Sequence, residues 1–255
     1  MDMTDFHDPW ALAVMGLAAA VVGLSKGGLG SVGIMGVPLL VLVLPPIQAA
    51  AILLPILCLT DLVATWTWWG TWSRRTLALM LPGAMAGIGV GWLTAALVSD
   101  AVVRLIVGVV AVAFVGRWLW QLWHRRPEAA RPEGVAPASF WGGLAGYTSF
   151  VAHAGGPPFQ VYTLPLGLDP RVLTGTSVAF FTIVNYVKLI PYAALGEFDT
   201  QNLGTSALLA PVAVAFTFVG AWIINRMRAE VFYPITYALT ALVGVKLIWD
   251  GLTGL

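Results

Sequence analysis

Charge is the scarcest property of this chain. Asp, Glu, Lys and Arg together make up 10% of its 255 residues, against roughly 25% in a soluble globular domain. No charged residue occurs from Gly27 to Thr60, from Thr76 to Ser99, from Gly134 to Leu168 or from Thr200 to Asn225. Each of these stretches exceeds the roughly 20 apolar residues that a helix needs to cross a bilayer core. A water-soluble fold is thereby excluded. Strict alternation of polar and apolar residues is absent as well, which excludes a transmembrane β-barrel and leaves helices, whose backbone bonds close within the segment.

Cysteine is nearly missing too. Cys58 stands alone, so there is no intrachain disulfide and no multi-cysteine zinc site, and no metal or other cofactor is expected. The net charge of +1 lacks the clustered basic surface of a nucleic-acid binder. The opening MDMTDFHDPW is acidic, without the basic start of a signal peptide, so the first apolar run is expected to remain as a span.

What is present is apolar: 59% of the residues are hydrophobic. Proline, glycine and charge punctuate the chain into segments near Trp10–Gly30, Val32–Leu44, Ile47–Trp69, Thr76–Leu97 and Ala101–Trp123. A polar link follows, and then segments near Ser139–Ala152, Pro157–Leu166, Arg171–Leu195, Leu203–Asn225 and Val231–Trp249. The expected organisation is a first transmembrane repeat over 1–123, a cytoplasmic linker over 124–138 and a second repeat over 139–255. Arg74, Arg75, Arg125, Arg126, Arg131, Arg226 and Arg228 all fall in loops on one side, which the positive-inside rule makes cytoplasmic. Asp2, Asp5, Asp8, the Asp100 turn, the GEFDTQN loop and the tail after Asp250 carry no Lys or Arg, which puts both termini outside. Arg104, Arg117 and Lys246, near helix ends, read as snorkelling cations, and Trp66, Trp68, Trp69 and Trp72 as an interfacial aromatic belt.

The two halves align with each other. Gly36-Val-Pro38 matches Gly156-Pro-Pro158, Asp61 matches Asn185, and Pro82–Gly91 matches Pro211–Gly220. Loop charge orients the halves oppositely, so the expected fold is an all-α polytopic membrane protein of two inverted-topology repeats. Each repeat has a Gly/Pro-broken, re-entrant or discontinuous segment pair plus three transmembrane helices. Inverted repeats are a recurrent architecture of secondary transporters.

Two clusters break the helical pattern at corresponding places. GLSKGGLGSVGIMGVP packs six glycines and a proline into sixteen residues, and GYTSFVAHAGGPP three glycines and two prolines into thirteen. Such breaks free backbone N–H groups at mid-membrane, where helix N-termini favour anions. The bland alternative is close helix packing through small residues. The substrate-binding candidates are Lys26, Gly27, Gly28, Ser31, His153, Gly155, Gly156, Gln160, Asn185 and Lys188. A cation within the membrane should face protein, water or an anionic ligand. Asp61 is the candidate for ion coupling, by proton or cation, or else a salt-bridge partner of Lys26 or Lys188. An intramembrane enzyme is disfavoured: there is no HExxH pair, no nucleophile elbow and no second intramembrane histidine.

With the stretches GLSKGGLGSVGIMGVPLL, HAGGPPFQVYTLPLGLDP and TGTSVAFFTIVN, the chain resembles the TauE/SafE family of sulfite and organosulfonate exporters over nearly its whole length. The resemblance implies a multi-pass protein of the bacterial inner membrane that moves a small sulfur-containing anion such as sulfite or a C2 sulfonate. Its breaks carry over to Lys26–Gly36 and His153–Pro158. The expected function is therefore export of such an anion by alternating access at a mid-membrane site between the broken segments. An ion-coupled transporter of another small anion, carboxylate or thiosulfate, and an anion channel stand as alternatives. A homodimer is compatible with the chain, and the lipid bilayer is its surroundings.

Overall fold

A computed structural model describes residues 9–44, 46–94, 97–124, 130–194 and 200–254. Asp2, Asp5, Asp8, Arg125, Arg126, Glu197 and Asp199, and the side chain of Ser31, lie outside the described residues. Among the described residues the secondary structure is all helical. Ten α-helices follow in order: α1 Pro9–Gly27, α2 Gly36–Val41, α3 Pro46–Thr67, α4 Arg74–Thr94, α5 Asp100–Trp123, α6 Val135–Ala152, α7 Gly156–Thr163, α8 Pro170–Ala194, α9 Thr200–Arg226 and α10 Ala229–Thr253. Short 3-10 turns, Gly30–Met35 and Leu164–Leu166, flank α2 and α7. Within α1, α4, α5, α8, α9 and α10 lie six stretches long and apolar enough to cross a membrane. Helix α6 starts at Val135, inside the stretch expected to be linker.

The chain forms two compact units, and neither is one continuous half of the sequence. The first comprises residues 1–69 and 189–226, the second residues 70–188 and 227–255.

In the first unit α1 lies along α9. A Cβ at Gly23 would overlap the Ala213 carbonyl, and one at Gly27 the Thr217 carbonyl, so only glycine admits this approach. That is how helices pack where lipid removes the hydrophobic drive between them. Met15, Ala18, Ala19 and Val22 of α1, Leu40 of α2, Ile52, Leu53 and Ile56 of α3, and Leu209 and Ala213 of α9 form a buried apolar cluster. Pro55 cannot donate a backbone bond inside α3, and one turn earlier the Ser206 hydroxyl donates to the Ile52 carbonyl at 2.8 Å.

The second unit repeats this device. Helix α4 lies along α6, where Gly83, Gly87, Gly142 and Gly146 each face a backbone carbonyl of the partner helix. Helix α5 lies along α10, with Trp118 stacked on Tyr237 at 4.2 Å between ring centroids. Threonine hydroxyls inside the helices, including Thr148, Thr163, Thr176 and Thr240, donate to the carbonyl four residues earlier. This satisfies a polar group without a second helix.

Candidate functional site

In the first unit, α1 stops at the glycine cluster in a Schellman turn. Gly28 takes φ 136°, its N–H donates to the Ser25 carbonyl at 3.1 Å, and the Leu29 N–H donates to the Leu24 carbonyl at 3.2 Å. Few residues other than glycine tolerate that φ. The Ser25 hydroxyl closes the break by donating to the Gly30 carbonyl at 2.8 Å.

Lys26, in the last turn of α1, forms an ion pair with Asp61 of α3, Nζ to Oδ1 2.5 Å, with side chains 13% and 1% exposed. Of the two partners the sequence allowed for Asp61, the structure thus shows Lys26. A cation in a last helical turn also suits the negative end of the helix.

Trp68 does not belong to the aromatic belt. Trp66 and Trp69 are exposed, but Trp68 is fully buried and donates its indole N–H to the Gly27 carbonyl at 3.2 Å. Residues 66 and 69, three apart, turn the same way at the end of α3 and 68 turns inward between them; the spacing of the tryptophans carries that difference.

In the second unit, α6 ends at His153, which has φ 52° and is the one non-glycine residue with positive φ among those described. The N–H groups of His153 and Ala154 both reach the Thr148 carbonyl, and the Thr148 hydroxyl lies 3.2 Å from the Ala154 carbonyl. A left-handed histidine costs about 1–2 kcal/mol, so packing around the break must hold it there.

Helix α7 then starts at Gly156 with Gly155 as N-cap and Pro157 and Pro158 behind it. Prolines have no N–H, so the first turn offers free donors only at Gly155 and Gly156, and the Phe159 N–H is bound to the Gly155 carbonyl at 3.2 Å. A Cβ at Gly155 would lie 2.7 Å from the Ala145 carbonyl oxygen, whereas one at Gly156 would meet nothing within 4 Å. Packing therefore requires glycine at 155 and leaves 156 open.

Lys188 of α8 reaches the same break. Its ammonium donates to the Ser149 carbonyl at 2.9 Å and lies 3.1 Å from the Ser149 hydroxyl oxygen, and the residue is 3% exposed. The charge lies at the carbonyl end of α6. Asn185, one turn earlier on α8, is half-buried. Gln160 is tied to α10, its side-chain amide lying 2.6 Å from the Thr240 hydroxyl oxygen.

The structure thus gathers the candidates into two groups, one per unit. Lys26, Gly27, Gly28 and Asp61 meet at the end of α1; His153, Gly155, Gly156 and Lys188 meet at the end of α6. Each group joins a broken helix to a membrane-embedded charge, within a bundle of long apolar helices. That combination defines a multi-pass helical membrane protein of transporter type.

Residues 15–247 match the family model described as sulfite exporter TauE/SafE. The chain belongs to the TauE/SafE family, a family of sulfite-exporter-type membrane transporters. A search of curated proteins and a search of solved structures each returned no significant match.

Proposed function

We propose that this chain is a secondary transporter that exports a small sulfur-containing anion, sulfite or a C2 sulfonate, and that the broken end of α6 contacts the substrate. The observation that carries this reading is the meeting at one chain interruption of the buried Lys188 ammonium, the left-handed turn at His153 and the proline-bounded N–H groups of Gly155 and Gly156. A buried ammonium attracts an anion far more strongly than a solvated one. Backbone N–H groups at a helix start supply directed donors without adding a further charge.

The Lys26–Asp61 pair is the proposed coupling element. A proton or cation on Asp61 frees the Lys26 ammonium, so the state of the carboxylate is linked to that of the α1 break. The loop arginines argue for a bacterial inner-membrane orientation with both termini outside, and paired breaks in corresponding parts of the two halves suit alternating access.

Flux into proteoliposomes tests both parts. Saturable sulfite uptake is expected to fall at least about tenfold in Lys188→Met, the scale of losing one charged contact, while the protein stays monodisperse. In Asp61→Asn, flux is expected to lose its response to an imposed pH or sodium gradient. Wild-type flux in Lys188→Met removes the α6 break from the substrate path. Uptake of thiosulfate or acetate in preference to sulfite and sulfoacetate changes the substrate class and leaves the mechanism standing.

A further inference from the structure

The first unit carries one charge that its own residues do not answer. Among its described residues the charged side chains are Lys26, Asp61 and Arg226. Lys26 and Asp61 neutralise each other at the end of α1. Arg226 stands in the last turn of α9 and is exposed, and no acid among the unit's described residues is left to balance it.

Phe218, Trp222 and Arg226 recur every four residues and so share one stripe of α9. The Arg226 guanidinium lies over the Trp222 ring, 4.3 Å from its centroid. A snorkelling arginine extends its head toward water; this one is held by cation–π attraction against a ring one turn nearer the bilayer core. Stacking occupies the face of the guanidinium and leaves the N–H donors in its plane pointing outward along its edges. Phe218 continues the stripe, and Trp66 of α3 meets it edge-on, with 6.3 Å between centroids and 90° between planes. Trp66 is 72% exposed, Trp222 57% and Phe218 42%. The three rings therefore form an open apolar wall that leads from the guanidinium toward the middle of the membrane.

We infer that Arg226, Trp222, Phe218 and Trp66 form a site for one anionic phospholipid in the leaflet at the C-terminal end of α9. The guanidinium edge matches a pair of phosphate oxygens, and the ring wall takes the acyl chain below them. Charge decides between headgroups. A zwitterionic headgroup brings an ammonium, for which the unit's described residues hold no unpaired carboxylate; a net-anionic headgroup needs none and balances Arg226. Attraction of interfacial arginines to anionic lipids supplies the affinity, and the stacked geometry confines it to one place. The site lies within the first unit and does not rest on substrate contact at the α6 break.

Native mass spectrometry of the purified full-length chain, in detergent with equal amounts of phosphatidylglycerol and phosphatidylcholine, tests it. The unaltered protein is expected to retain phosphatidylglycerol over phosphatidylcholine by at least about fivefold, the scale of one interfacial cation. Arg226→Gln should bring that ratio to about one, and Trp222→Leu should lower it about threefold by releasing the stacked guanidinium. Arg226→Lys should keep part of the preference, since a point charge remains without the planar edge. Arg74→Gln removes the same charge from an exposed arginine of the other unit and should leave the ratio unchanged. A preference that survives in Arg226→Gln overturns the inference, and so does an equal loss in Arg74→Gln, which would assign the effect to overall charge. Displacement of the lipid by excess inorganic phosphate also overturns it, because the guanidinium would then be taking free phosphate. Sulfite flux in phosphatidylcholine liposomes should be the same in Arg226→Gln as in the unaltered protein, so that failure here and failure of the transport reading can be told apart.

Discussion

Lys26 and Asp61 show what a charge inside an apolar bundle requires. Each would be expensive alone in lipid surroundings, and a 2.5 Å contact at the end of α1 keeps both. Removing one partner leaves the other buried, which costs about 3–5 kcal/mol, whereas replacing both with apolar residues of similar size is often close to neutral. Lys26→Met is therefore expected to lower the thermal midpoint in detergent well below that of the Lys26→Met/Asp61→Leu double variant. Equal midpoints would mean that the pair contributes nothing to folding. For the same reason, a loss of flux in Lys26→Ala alone does not separate a substrate contact from a damaged fold. The chemistry of these residues was legible in the sequence, because a lone lysine in an apolar run must be matched by something. Which carboxylate matches it was not: the partners lie on different helices, and helix–helix contacts are not encoded in local spacing.

At the scale of the element, glycine does two separate jobs, and spacing alone does not distinguish them. Gly28 ends a helix at φ 136°. Gly23, Gly27, Gly83, Gly87, Gly142 and Gly146 admit a neighbouring backbone. Two residues apart on α4, the cases separate: a Cβ at Gly87 would overlap the Gly143 carbonyl, while one at Gly89 would meet nothing within 4 Å. Gly87→Ala is expected to push α4 off α6 and reduce the monodisperse fraction on size exclusion. Gly89→Ala should be neutral or stabilising by up to about 1 kcal/mol, since alanine is the better helix former. Matching losses at both positions would contradict the α4–α6 contact. The helix breaks themselves were readable, because proline and glycine act locally; that histidine rather than glycine holds the left-handed turn after α6 was not, since only surrounding packing can enforce it.

At the scale of the whole molecule, each compact unit draws helices from both sequence halves: α1 to α3 with α9 in one, and α4 to α8, as far as Lys188, with α10 in the other. In the alignment of Pro82–Gly91 with Pro211–Gly220, Ala84 and Ala213 are equivalent, and each carbonyl is met by a glycine, Gly146 and Gly23 respectively. An internal repeat would produce that regularity. Whether the repeat is inverted is a question of sidedness. In a Cys58→Ser background, Ser99→Cys and Gly254→Cys are expected to react with an impermeant maleimide on intact cells, and Ser73→Cys and Arg228→Cys only after permeabilisation. Labelling of all four from outside would remove the inverted arrangement.

The sequence by itself determined that the chain is helical and membrane-embedded, where its helices run and where two of them break. Hydropathy, proline and glycine act on the nearest few residues, and a bilayer leaves the backbone few alternatives. Only the tertiary structure decided that Lys26 answers Asp61, that Lys188 comes to rest on Ser149, that Trp68 turns inward to Gly27, and that Glu133 pairs with Arg75 and Thr76. Those contacts join residues far apart in the chain. They depend on which helix faces are pressed together, a choice made within each unit by backbone carbonyls meeting glycines of a neighbouring helix rather than by any single segment.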